Sequence, residues 1–166
     1  MNVRTLNGDD WPMWREIRLR ALQESPSAFG STYAREVEFG ERLWRERLDD
    51  PDAVSVLATD DHAPVGMGAG FPDRPGLLHV VAMWVAPGAR GRGIAHDVLG
   101  VVEEWASQRG LALYLDVVTG NAAARRCYVR YGFVATGETE PVRPGSDEVQ
   151  ERMVLDRTVS GTQGSR

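Results

Sequence analysis

Apolar side chains recur along this chain with two different periods, and the period changes from one segment to the next. Over residues 14–22 and 94–106 they recur every three to four positions, which is the spacing of one face of a helix. Over residues 53–58 they alternate with polar or small residues, which is typical of a strand with one buried face. Residues 77–85 are almost continuously apolar, and this run predicts a central strand that is buried on both faces.

Turn-forming residues separate these segments and set the order of the predicted elements. Pro26 ends the first helix, Gly40 weakens the second, and Gly110 and Gly132 end the two later helices. The predicted elements are a strand at 2–6, a helix ending before Pro26, a loop at 25–33, a helix at 35–48, strands at 53–58, 65–71 and 77–85, a helix from 94, a strand at 111–118, a helix from 122 and two closing strands. This order predicts an α/β fold of the α+β kind with a mixed sheet. We expect one domain over residues 1–157, followed by a polar, disordered tail over residues 158–166.

The composition excludes several classes of function. All 19 basic residues are arginine, so lysine Schiff-base chemistry and a lysine phosphate clamp are excluded. A net charge of −5 argues against a broad nucleic-acid surface, and we expect no nucleic-acid partner. The lone Cys127 rules out an internal disulfide, and no run approaches the roughly 18 apolar residues of a membrane span. Because no signal-peptide pattern is present either, we expect a cytoplasmic protein with no membrane partner.

A turn rich in glycine and arginine, VAPGARGRGIA over residues 85–95, joins the apolar strand to the long helix. The first backbone N–H groups of a helix have no partner within the helix, and the helix dipole adds positive charge there. The turn therefore predicts an anion site that suits phosphate, to which Arg90 and Arg92 could add charge-assisted contacts. A flexible basic loop is the alternative at this point. The glycine patterns of P-loop and Rossmann proteins do not occur.

Two motifs together resemble those of the GNAT superfamily of acyl-CoA-dependent N-acetyltransferases. Residues 90–95, RGRGIA, match the signature R/Q-x-x-G-x-G/A. Residues 121–133, NAAARRCYVRYGF, resemble the second signature, N-x-x-A-x-x-x-Y-x-x-x-G-F. The resemblance covers residues 2 to 156. It implies a GNAT-like fold, in which about four helices flank a mostly antiparallel sheet that splays apart in the middle.

The resemblance also implies how acetyl-CoA would bind as the second substrate. Backbone N–H groups from the turn into the long helix would hold its pyrophosphate. The pantetheine arm would pair with exposed backbone on the preceding strand, like an added strand. Asn121 would cap the last helix, bond the pantetheine, or do both. The residues implied on the acetyl-CoA side are Met83, Trp84, Val85, Arg90, Gly91, Arg92, Gly93, Ile94, Ala95, His96 and Asn121.

For the chemistry, Tyr128 matches the family tyrosine that can protonate the leaving thiolate as a general acid. His79 stands where some histone-type members carry a catalytic glutamate, and a neutral histidine suits a general base. There are two alternatives. His79 packs beside the sheet without a catalytic role, or ordered water takes the proton in place of a protein base. Glu36 and Glu38 are weaker candidates, and strand alternation leaves the side of Asp116 undecided. We expect Cys127 to be a core residue, because no local partner would activate its thiol.

The acceptor is expected to be a primary amine, either of a small molecule or of a peptide or protein. The first two helices and their connecting loop shape the acceptor site in the family, and here they supply Phe29, Tyr33 and Glu24. Transfer is expected to be direct within a ternary complex, and no metal is expected. A non-catalytic acyl-CoA-binding or sensing module is the alternative function. Dimers are common in the family, so the resemblance is also compatible with a homodimer of this chain.

Overall fold

The computed structural model describes residues 1–157, and the predicted tail over residues 158–166 lies outside them. The strands are β1 (Asn2–Thr5), β2 (Val54–Asp60), β3 (Ala63–Arg74), β4 (Leu77–Val85), β5 (Ala112–Val118), β6 (Phe133–Pro141) and β7 (Val149–Leu155). The helices are α1 (Trp11–Glu24), α2 (Tyr33–Glu36), α3 (Glu41–Leu48), α4 (Ile94–Ser107) and α5 (Ala122–Tyr131). The predicted order of elements is confirmed.

All seven strands form one sheet in the order β1-β2-β3-β4-β5-β7-β6. Every neighbouring pair is antiparallel except β4 and β5, which run parallel. This single parallel pair follows from the crossover through α4, because a helical connection returns the chain in the same direction. The prediction of a mixed, mostly antiparallel sheet is confirmed.

Helices cover both faces of the sheet. A side chain added at Gly66 or Gly68 on β3 would meet Ile94 or Val98 of α4 at 2.7 Å, so α4 lies against that face. The helices α1 and α3 pack together on the other face, and α5 lies beside α4 and β6. Consecutive residues of β2 from Val56 to Ala58 are all fully buried, which requires cover on both sides. No helix in residues 1–157 is both long and apolar enough to cross a membrane.

The predicted helix over residues 35–48 is wrong in its extent, because the chain leaves the helical conformation before Gly40. Helix α2 ends at Glu36, and Gly40 is the N-cap of α3 in an extended conformation, with φ −79° and ψ 165°. The N–H of Leu43 donates to the Gly40 carbonyl at 3.1 Å and starts the new helix. Glycine has a low helix propensity and is tolerated as an N-cap, which accounts for the break at this residue.

The apolar run of β4 predicts burial on both faces, but the strand is not buried on both faces along its length. Leu78, Val80 and Trp84 are buried, whereas the other residues of the strand are partly exposed. The reason is that one side of β4 borders a cavity, and its last five residues have no neighbour on the β5 side. An apolar sequence here therefore reflects the lining of a cavity as well as a core.

Candidate active site

The turn between β4 and α4 presents a row of unpaired backbone N–H groups. After a short 3₁₀ turn at Pro87–Ala89, Gly91 and Gly93 adopt left-handed conformations with φ +78° and +79°. The N–H of Asp97 donates to the Gly93 carbonyl at 3.1 Å and makes the first bond of α4. The six N–H groups from Gly91 to His96 donate to no atom of residues 1–157. This arrangement has the donors that an anion requires at a helix N-terminus.

The two arginines of the turn are ion-paired rather than free. Arg90 donates to the Val85 carbonyl at 3.0 Å and to Glu24 Oε2 at 3.0 Å. Arg92 pairs with Asp60 at 2.8 Å. About half of each guanidinium side chain remains exposed, so a bound phosphate could compete with these carboxylates for both arginines.

Strands β4 and β5 separate a short way along their length. They pair over only four residues of each strand, ending with Val80 opposite Leu115. Beyond that point residues 81–85 of β4 pair with β3 on one side and with no strand on the other. The predicted splay of the sheet is confirmed, and it leaves an open strand edge that runs toward the glycine-rich turn.

A β-bulge lies at this separation. Val81 pairs with Ala69 and Trp84 pairs with Met67, so Ala82 and Met83 together oppose a single residue of β3. Ala82 has φ +57°, a conformation that costs a non-glycine residue about 1 kcal/mol or more. A bulge bends its strand and disrupts the ladder locally, which accounts for the position of the separation.

Because of the bulge, the side chains that follow it point to the opposite faces from those that regular alternation would give. A side chain added at Gly68 would lie 2.6 Å from the Met83 sulfur, so Met83 lies on the α4 side of the sheet. The indole N–H of Trp84 donates to Glu24 Oε2 at the end of α1, at 2.9 Å, so Trp84 lies on the opposite side. His79 borders the cavity on that same α1 side.

A cavity of about 590 Å³ lies between the separated strands and the first three helices. Its walls come from strands β2 to β5 and β7, from helices α1, α2, α3 and α5, and from the loops after α1 and between β6 and β7. The lining residues that concern the chemistry are His79, Ala82, Asp116, Tyr128, Phe29 and Glu36. The structure thus brings both predicted catalytic residues to one cavity and shows that Asp116 faces it.

Tyr128 stands in this cavity with a free hydroxyl group. Its ring packs edge-on against Phe133, with 5.9 Å between centroids, and its hydroxyl bonds to no atom of residues 1–157. Burial raises the pKa of Tyr128 above its usual value, and the neighbouring Cys127 adds to this effect. The phenol therefore keeps its proton at neutral pH and can donate it. Asn121 caps α5, where its side chain accepts from the Ala124 N–H at 3.2 Å.

His79 is held between aromatic and acidic neighbours. Its ring stacks on Tyr114, with 4.5 Å between centroids and 4° between planes, and Nε2 lies 3.4 Å from Asp116 Oδ2. Arg152 of β7 donates from Nε to Asp116 Oδ1 at 3.2 Å. Burial alone would raise the pKa of Asp116, but its contact with His79 and its hydrogen bonds from Arg152 hold it below its usual value. Burial and a hydrogen bond to Asp73 raise the pKa of Tyr114 to about 12.

The side of the cavity formed by α1 and α2 carries a buried ion pair. Glu36 is 1% exposed and accepts two bonds from Arg18 of α1, at 3.0 and 2.9 Å. Burial would raise the pKa of Glu36, but the bonds and charge of Arg18 lower it. This carboxylate is thus already engaged and is not a free base. Arg143, in the loop between β6 and β7, donates to the Phe29 carbonyl at 2.9 Å and ties the two loops together.

Three other candidate residues are not among the residues that line this cavity. Glu38 is exposed, and the ring of His96 packs against Tyr131 with 4.9 Å between centroids. Cys127 is half-buried, and burial raises the pKa of its thiol, so a thiolate is disfavoured. Within residues 1–157, no group of three or more metal-ligating side chains is present.

Three arginines that join distant parts of the site could not be recognised from the sequence, whereas Glu24, which was expected at the acceptor site, lies instead beside Arg90 of the glycine-rich turn. Arg18, Arg152 and Arg143 each bond a residue at least 18 positions away, and Glu24 bonds both Trp84 and Arg90. A single arginine on a helix or strand carries no periodic signal that distinguishes it from a surface residue. Only the topology brings these partners together.

Comparisons with known proteins agree with this geometry. The model of the "Acetyltransferase (GNAT) family" matches residues 11–133. A curated acetyltransferase of Agrobacterium fabrum, Atu2258, is 37% identical over 98 residues, which are 58% of this chain and 69% of that protein.

Solved structures also resemble this one. Nourseothricin acetyltransferase is 29% identical with a TM-score of 0.58, over 64% of this chain and 66% of the other, which is just under two thirds of its length. A streptothricin acetyltransferase described as putative, from Bacillus anthracis and solved in complex with acetyl coenzyme A, is 20% identical. Its TM-score is 0.63, over 75% of this chain and 72% of the other. The family model, the curated relative and these shared folds lead to one conclusion: the chain belongs to the GNAT family of acetyltransferases.

Proposed function

We propose that this protein transfers the acetyl group of acetyl-CoA to a primary amine, directly and within a ternary complex. The observation that carries the proposal is the continuity of two features. The open edge of β4, residues 81–85, leads into the six unpaired N–H groups from Gly91 to His96. Acetyl-CoA carries its thioester on an extended arm that is joined to a diphosphate. The arm has the shape to pair with the open strand edge, and the diphosphate has the oxygens to accept hydrogen bonds from the N–H groups.

On the donor side, the N–H groups of the turn would bind the pyrophosphate of acetyl-CoA. Arg90 and Arg92 would exchange Glu24 and Asp60 for phosphate oxygens, since both guanidinium groups are half exposed. The pantetheine arm would lie along the open edge of β4, which delivers the thioester to the cavity beside Tyr128.

The reaction that these groups support is direct acyl transfer. A deprotonated amine attacks the thioester carbonyl carbon, and the resulting oxyanion accepts a hydrogen bond from a backbone N–H near Met83 or Trp84. As the carbon–sulfur bond breaks, Tyr128 gives its proton to the leaving thiolate, and the proton that the nitrogen loses on becoming an amide restores the phenol of Tyr128 through water. His79 would receive the proton that the amine loses. Direct transfer needs no acyl-enzyme, which agrees with the suppressed thiolate character of Cys127.

The acceptor in this proposal is a small-molecule amine or the amine of a peptide or protein. The cavity offers an aromatic wall at Phe29 and the acidic group of Asp116, both of which suit an ammonium group. A cytoplasmic location, which we infer from the single cysteine, and a homodimer remain predictions.

The test is a Tyr128→Phe variant, with Cys127→Ala as the neighbouring control. We expect Tyr128→Phe to bind acetyl-CoA within about twofold of the wild type in calorimetry. Its kcat should fall by about 100-fold in a thiol-release assay over a panel of amines, because the general acid is gone. Cys127→Ala should keep most of the activity.

Two results would contradict the proposal in different ways. Unchanged turnover of Tyr128→Phe would remove Tyr128 from its role as the acid. Tight acetyl-CoA binding with no product from any amine would instead identify a non-catalytic acyl-CoA-binding module.

A further inference from the structure

Three polar side chains from adjacent strands form a connected series where β4 and β5 separate. His79 of β4 contacts Asp116 of β5, and Asp116 is bonded in turn by Arg152 of β7. His79 and Asp116 both line the cavity, while Arg152 approaches Asp116 from the neighbouring strand. Neither motif of the family includes Asp116 or Arg152.

We infer that Asp116 is a positioning residue, which fixes His79 in the tautomer that leaves Nδ1 free to take the proton of the acceptor amine. The inference rests on the proposed function, because it specifies how the base of that reaction is held. Arg152 is the second positioning residue, which orients the carboxylate of Asp116.

The ring of His79 has little freedom to turn. It lies flat against Tyr114 on one side, and Phe71 meets it edge-on with 5.4 Å between centroids and 65° between planes. With the ring fixed in this plane, Nε2 faces Asp116 Oδ2 at 3.4 Å. The Nδ1 atom bonds to no atom of residues 1–157.

The chemistry of the carboxylate decides the tautomer. An ionised aspartate can only accept hydrogen bonds, so the hydrogen of a neutral His79 lies on Nε2. The lone pair then lies on Nδ1. In the reaction, the ammonium group of the acceptor gives one proton to this lone pair and becomes the neutral nucleophile, and His79 becomes an imidazolium until it returns the proton to water.

Arg152 fixes the orientation of the carboxylate. It bonds both oxygens of Asp116, at 3.2 and 3.4 Å. The guanidinium also stacks 4.8 Å from the Tyr114 ring and bonds Glu138 at 3.2 Å, so its position does not depend on Asp116 alone.

Several charged groups lie around the pair on the elements packed against it. They are Asp73 and Arg74 on β3, Arg152 on β7, and Glu138 and Glu140 on β6. Tyr114 stays neutral, since its pKa is raised to about 12.

The test replaces the carboxylate by an amide of the same shape. In Asp116→Asn, the amide oxygen should turn toward Arg152, because a guanidinium can only donate. The amide NH₂ then faces Nε2 of His79, which must accept, and the hydrogen moves to Nδ1. Asp73→Asn is the matched control, because it makes the same exchange on the far side of Tyr114.

Two measurements are needed, and the first uses no acceptor. Long-range ¹H–¹⁵N NMR of the three histidines, assigned with His79→Gln, reports the tautomer. We expect Nε2–H in the wild type and in Asp73→Asn, and Nδ1–H in Asp116→Asn. In steady-state kinetics, Asp116→Asn should lower kcat by about 10- to 100-fold with an unchanged Kd for acetyl-CoA.

A double-mutant cycle separates positioning from a structural effect. The acid limb of the kcat/KM profile should be absent from His79→Gln, and adding Asp116→Asn should slow that variant no further. The inference is overturned if Asp116→Asn keeps Nε2–H, or if it slows His79→Gln as much as it slows the wild type. If no amine is acetylated, the proposed function fails. The NMR measurement of the tautomer then still shows whether Asp116 orients His79.

Discussion

The two halves of the active site are built from different kinds of groups. The turn before α4 offers backbone N–H groups held by two left-handed glycines. The wall around Glu36 offers side chains that are already bonded to one another, as in the Arg18–Glu36 pair. In the first half the donors have no partner within residues 1–157, whereas in the second half the side chains are bonded to one another.

This difference indicates where ligand identity can vary. A backbone site binds the part of a substrate that is common to many enzymes, because its geometry depends on conformation and not on side-chain identity. When a site is built from paired side chains, replacing one residue of a pair changes the binding surface. Such a site suits a substrate that differs from one enzyme to another. If this division is correct, substitutions in the two halves should affect different measurable quantities.

The largest effect is expected from Glu36→Ala. Removing this carboxylate leaves Arg18, which is 15% exposed, without its partner, and breaking a buried pair in this way costs about 3–5 kcal/mol. Urea unfolding measures the loss. Glu38→Ala, an exposed residue two positions away, is the control and should stay within about 0.5 kcal/mol. A comparable loss of acetyl-CoA affinity in the folded Glu36→Ala protein would contradict the division into halves.

The same carboxylate makes a pH-dependent contribution. Because the bonds and charge of Arg18 lower the pKa of Glu36 in the folded protein below its usual value of about 4.5, despite its burial, the ion pair stabilises the protein fully above that value. The contribution is lost as the pH falls through the lower, folded-state pKa. Urea midpoints measured between about pH 5 and pH 3 should therefore fall less steeply in Glu36→Gln than in the wild type. Equal slopes would show that other carboxylates account for the acid sensitivity.

A smaller effect, on binding and not mainly on stability, is expected from Gly93→Val. Its φ of +79° is strained for valine, although no atom lies within 4 Å of the added Cβ. Relaxing the strain of about 1–2 kcal/mol would turn the N–H row away from its present direction. We expect the Kd for acetyl-CoA in calorimetry to rise by about 10-fold or more. Gly88→Val, in the same turn with open space and no positive φ, should bind nearly normally.

The smallest effect is expected from Arg92→Gln. Its pair with Asp60 is exposed, so the urea midpoint should not change measurably. The Kd for acetyl-CoA should rise by only about three- to tenfold at low salt, and the difference should shrink as salt is added. Arg42→Gln, which removes the same charge from an exposed pair on α3, is the control. A salt-independent defect in Arg92→Gln would indicate a structural role for Arg92.

The sequence predicted the conformation of the turn before α4 better than the contacts of the wall around Glu36, for a physical reason. Glycines at 91 and 93, a preceding apolar run and a following amphipathic run determine the turn locally. The fold and the splay of the sheet were confirmed, because they follow from the order of elements and from the two motifs together.

The contacts of the wall around Glu36 could not be predicted. Glu36 contacts Arg18 only because the chain bends at Gly40 instead of continuing as one helix. Asp116 faces the cavity because it lies two residues after Tyr114, which pairs with His79, and this register between β4 and β5 is not revealed by any local pattern. Pairings between distant side chains depend on the tertiary structure, whereas the conformation of a glycine-rich turn is determined mostly by its own residues.

The bulge at Ala82 has a consequence for transferring residue roles between related chains. His79 and Trp84 are five positions apart and lie on one side of the sheet, although regular alternation would place them on opposite sides. In a homologue without the additional residue, an ungapped alignment across this strand would equate cavity-facing positions with core-facing ones. Functional assignments on either side of position 82 therefore need separate alignment anchors.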